Sequence, residues 1–201
     1  MINRPKQTPA TYNALLSHII NHCSVKPDQL ALLDSFFEYR VYKKNNLLLS
    51  EGQRCHEKFF IIKGCTNLFY LKQNGTEQTI DFAIENWWTS DFMAFQQNTV
   101  SQFSIRAVET TAVLAITSER QQDLLRQVPE LSEYFHRVFQ RAYAAAQIRF
   151  KLLYGHSKED LYHHFNQKFP AFIQRVPQYL LASFLGITPE YLSEIKKKRI
   201  S

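Results

Sequence analysis

The chain has 201 residues, 45% of them apolar, with sixteen Phe and ten Tyr, which is too much for one small helical module and suits one large domain plus a small one. The net charge of +6 fits a polyanionic partner. Cys23, Cys55 and Cys65 have no paired spacing, which excludes a disulfide framework and a cysteine-held zinc or iron–sulfur cluster.

The first residues, Met1 to Thr11, are polar and carry Pro5 and Pro9. They hold no apolar signal core, and no later run approaches the length of a membrane span. A cytoplasmic location without a membrane partner is expected. Leu15, Leu16, Ile19 and Ile20 fall at helical spacing between Tyr12 and His22, and Leu30, Leu32, Leu33 and Phe36 repeat the pattern between Pro27 and Phe37. Two short helices are predicted there.

From Arg40 onward, short apolar and aromatic runs alternate with turn residues. The runs are Leu47–Leu49, Lys58–Lys63, Thr66–Lys72, Thr76–Phe82, Phe103–Val108 and Ala112–Ile116. Asn74-Gly75 between two of them is a strong hairpin signal. About eight short strands in this stretch predict an antiparallel sandwich or jelly roll.

The texture changes again at Val128-Pro129-Glu130, and no Gly or Pro follows until Gly155. One long helix is predicted to Tyr154, with a seam of Leu131, Phe135, Val138, Ala142, Ala145, Ile148 (or Arg149) and Leu152. A seam this long needs a partner, either the parent domain or, as the better reading, an identical helix across a twofold axis. Ser157 with Asp160 caps a further helix running to about Phe169, and Pro170 and Pro177 punctuate the way to the last pair.

That last pair is the sharpest feature of the chain. Gly186 ends one helix in the left-handed conformation, and Ile187 plugs the turn. Thr188 caps the next helix, Pro189 suits its first position, and Glu190 favours its positive end. Ala182 is small where the second helix must pass closely. Leu181, Phe184, Leu185, Leu192 and Ile195 form an inward face; Pro189, Glu190, Ser193, Glu194 and Lys197 are left outside. The basic run Lys196-Lys197-Lys198-Arg199 follows. This is the layout of a helix-turn-helix that places one helix in the DNA major groove; an ordinary helical hairpin with a basic tail is the plainer alternative.

The fold class expected is α+β. Residues 1–127 would form the jelly-roll domain, 128–155 a dimerisation helix, and 156–201 the helix-turn-helix domain, without a β-hairpin wing.

This order of parts resembles the cyclic-AMP receptor/fumarate–nitrate regulator (Crp/Fnr) family of bacterial transcription factors, over about residues 12 to 200. The resemblance rests most specifically on Ala182-Ser-Phe-Leu-Gly-Ile-Thr-Pro-Glu-Tyr-Leu-Ser193 and on Glu77 to Trp88. The set Asp81-Phe, Trp87-Trp88 and Ser104-Ile-Arg-Ala-Val-Glu109 is similar to a branch common in Bacteroidetes-type regulators. The resemblance implies a cyclic nucleotide-binding-like sensor domain and a homodimer on an inverted-repeat operator. It also implies double-stranded DNA and RNA polymerase as partners, and a small-molecule effector of unknown identity.

Ligand-binding members of that family carry Gly-Glu-Leu and then Arg-Ser about ten residues later. The matching positions here are Ser90-Asp91-Phe92 and Ser101-Gln102, so the phosphate-neutralising arginine is missing. Arg106 lies five residues further on, an odd offset that points it to the other face of a continuous strand. Burying a phosphate without a cation is costly. Specific cyclic-AMP binding is therefore not expected, and the weaker alternative is an atypical site of Ser90, Asp91, Ser101 and Gln147.

No cofactor is expected either. Oxygen-sensing relatives hold a cluster on several N-terminal cysteines, where this chain has Cys23. As haem ligands His18, His22, His56 and His136 are less economical than surface or core histidines. Trp87 and Trp88 read as core, and His163 and His164 as solvated. A cupin-type metal enzyme needs His-x-His on inward strands, and the strand region offers His56 alone. No nucleophile elbow or phosphate-cradling loop is present, so catalysis is not expected.

The expected DNA contacts are Gln178, Thr188, Pro189, Glu190, Ser193, Glu194, Lys196, Lys197, Lys198 and Arg199. Thr188 is mainly a cap, and Glu190 the leading base reader through cytosine N4. The family often places Arg at the position of Glu194, which here cannot donate to guanine. That departure supports a third reading, a jelly-roll signalling module whose DNA recognition has lapsed.

Overall fold

The computed structural model describes residues 9–198. Helix α1, Pro9–Ile20, is followed by a short α2, Pro27–Leu30, and a 3-10 turn at Leu33–Ser35. The strands are β1 Glu38–Tyr42, β2 Leu47–Leu49, β3 Glu57–Lys63, β4 Thr66–Leu71, β5 Glu77–Ala83, β6 Trp88–Thr89, β7 Ser104–Ala107 and β8 Thr111–Thr117, with α3, Phe92–Gln97, between β6 and β7. Six helices follow: α4 Ser118–Gln127, α5 Leu131–Gly155, α6 Lys158–Lys168, α7 Pro170–Arg175, α8 Gln178–Leu185 and α9 Pro189–Lys198.

The strands form two four-stranded sheets, β1-β8-β3-β6 and β2-β7-β4-β5, with antiparallel pairing. This is a double-sheet jelly-roll arrangement. Alternation along β3 builds two cores at once. Phe59 and Ile61 point between the sheets, with Leu49, Ile105 and Val113. Phe60 points outward and packs with Leu15, Ile19, Trp88, Leu114, Leu124 and Tyr134 under the flanking helices.

The chain divides into two compact units. One runs up to Leu68 and resumes at Phe82–Gln140; the other is Phe69–Asp81 together with everything from Arg141. The second unit therefore joins the tip of the β4–β5 hairpin to the C-terminal helices. The Asn74-Gly75 turn is present: Gly75 has φ +78°, and its N–H donates to the Lys72 carbonyl at 2.8 Å.

Three local expectations need correction. The stretch from Pro27 to Phe37 is not one helix but α2 and a 3-10 turn, because Pro27 opens a helix that Ala31 already caps. Leu33 and Phe36 are buried in spite of that, while Leu32 is exposed. The three short or polar helices α3, α4 and α7 carry too little apolar periodicity to stand out in the sequence. On α5 the seam is partly covered by the chain's own core, since Leu131 is buried there and Phe135 and Val138 pack beside it. The exposed Phe139, Tyr143, Phe150 and Tyr154 of α5 lie on another face, and Ile148, read as part of the seam, is exposed away from them.

Candidate nucleic-acid interface and ligand pocket

Helices α8 and α9 are set by the turn between them. Gly186 has φ +70°, and its N–H donates to the Ser183 carbonyl at 3.1 Å while that of Ile187 reaches Ala182 O at 3.0 Å. A side chain at Gly186 would meet only Lys158, so conformation rather than space demands glycine. Thr188 Oγ1 accepts from the Tyr191 N–H at 3.2 Å, which is the cap its position predicts. Leu181, Ala182, Leu185, Leu192 and Ile195 are fully buried and Phe184 nearly so.

This packing leaves one face of α9 in water. Pro189, Glu190, Glu194, Lys197 and Lys198 are exposed, as is Thr188 in the turn. Ser193 and Lys196 are half-buried and already engaged. Gln178, at the start of α8, donates through Nε2 to Ser193 Oγ at 2.6 Å, and its Oε1 accepts from Lys196 Nζ at 3.4 Å. Ser193 in turn donates to the Pro189 carbonyl at 3.0 Å. Gln178 thus clasps the two helices together at their polar end. Lys198 Nζ donates to Glu159 at 3.2 Å, and that bond holds the ammonium pKa above its ordinary value. Arg199 lies outside the described residues. The face is mixed: two carboxylates on its first two turns, cations on its last.

In the jelly roll, Ser90, Asp91, Ser101 and Gln102 do come together. Asp91 caps α3, where Oδ1 accepts from the Ala94 N–H at 3.1 Å. Its Oδ2 accepts from Ser101 Oγ at 3.0 Å and from the Gln102 N–H at 3.2 Å. Ser90 Oγ donates to the Glu57 carbonyl at 2.9 Å. Asp91, Ser90 and Ser101 are buried. The donors that would meet a phosphate are therefore spent on an internal carboxylate, and none of the four residues is a cation. Phe92 packs under the helices. Gln147 lies on α5 in the second unit and is exposed. The parity argument for Arg106 does not apply, because β7 begins only at Ser104 and Ser101 lies outside it; Arg106 pairs across from Leu47.

His18 and His22 are engaged at the edge of the core, whereas His56 and His136 are exposed. His18 Nδ1 meets Tyr134 Oη at 2.8 Å, and the same hydroxyl accepts from Trp88 Nε1 at 2.9 Å. His22 Nδ1 donates to the His18 carbonyl at 2.7 Å. Trp88 is buried as expected, whereas Trp87 is 38% exposed. Among the described residues, no group of three or more His, Cys, Asp or Glu side chains could hold a metal ion, and no helix is long and apolar enough to cross a membrane.

Three residues have roles that the sequence alone does not single out. Lys58 is buried with its Nζ 3.5 Å from the Phe135 ring centroid and 4.7 Å from that of Trp88, and burial pushes its pKa well below the ordinary value. Alternation along β3 was the available signal, since Lys58 and Phe60 share a side. Arg149 is stacked on Phe184 and Ser183 bonds to β5; neither has a local sequence signature.

The family described as "Cyclic nucleotide-binding domain" matches residues 39–128 of the chain. Among solved structures, the chain is similar to the regulator CLP of Xanthomonas campestris, c-di-GMP responsive by its description, at 16% identity and a TM-score of 0.67, covering 86% of this chain and 91% of that one. A protein of Eubacterium rectale described as a regulator of the crp/fnr family aligns at 12% identity and a TM-score of 0.68, covering 87% and 83%. The catabolite activator protein of Thermus thermophilus aligns at 19% identity and a TM-score of 0.56, covering 90% and 85%. Likeness at these identities speaks for the fold. No curated protein sequence matches the chain.

Proposed function

We propose that this protein is a transcription regulator of the Crp/Fnr type, acting in the cytoplasm as a homodimer on an inverted-repeat operator. The observation that carries the reading is the α8–α9 pair: a left-handed Gly186, a Thr188 cap, and a polar α9 face held out in water by a buried inner one. Such a helix fits the major groove, with Glu190 and Glu194 accepting from cytosine N4 and Lys196, Lys197, Lys198 and Arg199 meeting phosphates. Pro189 and Thr188 place the first turn near the bases. Gln178 and Ser193 position α9 against α8, and Gln178 keeps Lys196 close.

The dimer in this reading forms through α5. Its exposed Phe139, Tyr143, Phe150 and Tyr154 recur at helical spacing, and an aromatic stripe of this kind is the surface a second copy would cover. RNA polymerase is the partner on the operator. The jelly roll does not take cyclic AMP, because Asp91 has claimed Ser101 and the Gln102 amide, and a phosphate would meet a carboxylate instead of a cation. An effector of other chemistry is compatible with this reading. So is the absence of catalysis, since no reactive group is placed beside a suitable base in the sites described.

Salt-dependent binding to duplex DNA tests the proposal. The triple replacement Lys196→Gln, Lys197→Gln and Lys198→Gln is expected to weaken binding to all duplexes and to lower the log–log salt slope by about 1 for each phosphate left without its cation. Unchanged affinities and slopes would remove the tail from the interface. The two exposed carboxylates favour one other reading, a signalling module with lapsed DNA recognition. It predicts weak binding without sequence preference.

A further inference from the structure

We propose that Lys58 is a modification site for small apolar aldehydes: its amine, boxed by the rings of Trp88, Phe95 and Phe135, captures the carbonyl carbon as a reversible Schiff base. This chemistry is independent of DNA binding.

Lys58 lies on β3 with its side chain on the side of Phe60, under the flanking helices and away from the space between the sheets. Its partner across the ladder, Ile116, belongs to that same outer core. Lys58 is 6% exposed. Its Nζ is 3.5 Å from the ring centroid of Phe135 on α5, 4.7 Å from that of Trp88 on β6 and 5.5 Å from that of Phe95 on α3. Three elements thus close on one amine.

Among the described residues no carboxylate pairs with this amine. Glu57, its neighbour on β3, is held by Arg40 at 2.7 Å. Asp91, before α3, accepts from Ala94, Ser101 and Gln102. On α5, Glu133 pairs with Arg137, and His136 is exposed. Ring faces attract an ammonium, but taking that charge out of water costs more than they return. Burial therefore pushes the Lys58 pKa well below its ordinary value. A desolvated amine of this kind offers its lone pair near neutral pH, which is what a Schiff-base lysine needs.

The lone pair attacks the aldehyde carbon and forms the C–N bond of a carbinolamine. Both amine hydrogens then leave with the carbonyl oxygen as water, and a C=N double bond remains. No oxidant or reductant takes part. The imine is uncharged, so it suits walls of rings that would reject a carbamate or a carboxylate. Close packing limits the aldehyde to a few carbons. Phe135 is half-buried whereas Trp88 and Phe95 are buried, so the aldehyde enters past Phe135. The adduct places new carbon against the first turns of α5.

Reductive trapping on the full chain tests the site. The probe is propanal with sodium cyanoborohydride at pH 7, and peptide mass mapping reads the rate at each lysine. An exposed lysine is almost wholly protonated at that pH, with roughly one amine in a few thousand free. Lys58 is expected to be alkylated about ten-fold or more faster than the exposed Lys43, Lys44 and Lys197. Its lead should shrink near pH 10, where surface amines also lose their protons, and vanish in guanidinium chloride. Lys58→Arg should remove the fast site and leave the surface rates as they were. A Lys58 labelled no faster than the exposed lysines at pH 7 overturns the proposal, whether the box stays shut or the amine stays charged. A lead undiminished near pH 10 or in guanidinium chloride overturns it as well, because burial in the fold would then not be its source.

Discussion

Single residues carry most of the electrostatics here, and one of them is a buried cation. Lys58 sits among Phe135, Trp88 and Phe95, and burial lowers its pKa. The sign follows from linkage. Between the depressed folded pKa and the ordinary lysine value, the unfolded chain holds a proton that the folded chain has lost, so stability rises with pH across that window. Lys58→Met keeps the volume and removes the charge. It should raise the unfolding free energy at pH 7 and flatten the rise toward pH 10, as read by urea denaturation at several pH values. A pH profile unchanged by the substitution would contradict this account of Lys58. Asp91 is the opposite case, a buried carboxylate fully used by its neighbours. Asp91→Ala should cost about 1–3 kcal/mol, because it removes a helix cap and leaves the Gln102 amide without its acceptor, while Ser101 Oγ keeps the Phe103 carbonyl. A loss below about 0.5 kcal/mol would say that water replaces the carboxylate there.

At the scale of elements, the turn between α8 and α9 is where sequence and structure agree most closely. Gly186→Ala should cost about 1 kcal/mol or more through its left-handed backbone, and Thr188→Ala about 1 kcal/mol through the lost cap. Thermal unfolding of the two variants measures both. These elements were legible because glycine, proline and capping residues report local backbone needs. The Asn74-Gly75 hairpin and the Ser157 cap, whose Oγ accepts from the Asp160 N–H at 3.1 Å, were legible for the same reason. The α2 region was not, because Leu30, Leu32, Leu33 and Phe36 keep helical spacing while Pro27 and the early cap at Ala31 break the helix. Nor could the Ser183–Thr79 bond be read ahead, since it joins positions 104 residues apart. The jelly-roll pocket's want of a cation was visible as an arginine missing from the pattern the resemblance implies. Its filling by Asp91 needed three dimensions.

At the scale of the whole molecule, the α5 stripe is the surface through which the proposed dimer would assemble. Phe139, Tyr143, Phe150 and Tyr154 are exposed on one chain, with Tyr154 86% accessible. Phe139→Glu with Tyr143→Glu should convert a dimer to a monomer in sedimentation velocity without loss of helical circular dichroism. A dimer that survives both charges would place the twofold elsewhere. The apolar seam read from the sequence anticipates a helix needing a partner but marks the face that the chain's own core partly covers. Period alone ranks faces by apolar content and cannot tell which one the fold has already buried. In the proposed dimer, two α9 helices spaced by a twofold axis would read two half-sites. Selection of bound duplexes from a random pool is the most direct measurement of that claim. The account predicts an enriched inverted repeat whose half-sites lie about one helical turn apart, roughly 10 base pairs. A pool that returns unenriched, or enriched only in a single unpaired site, would contradict it.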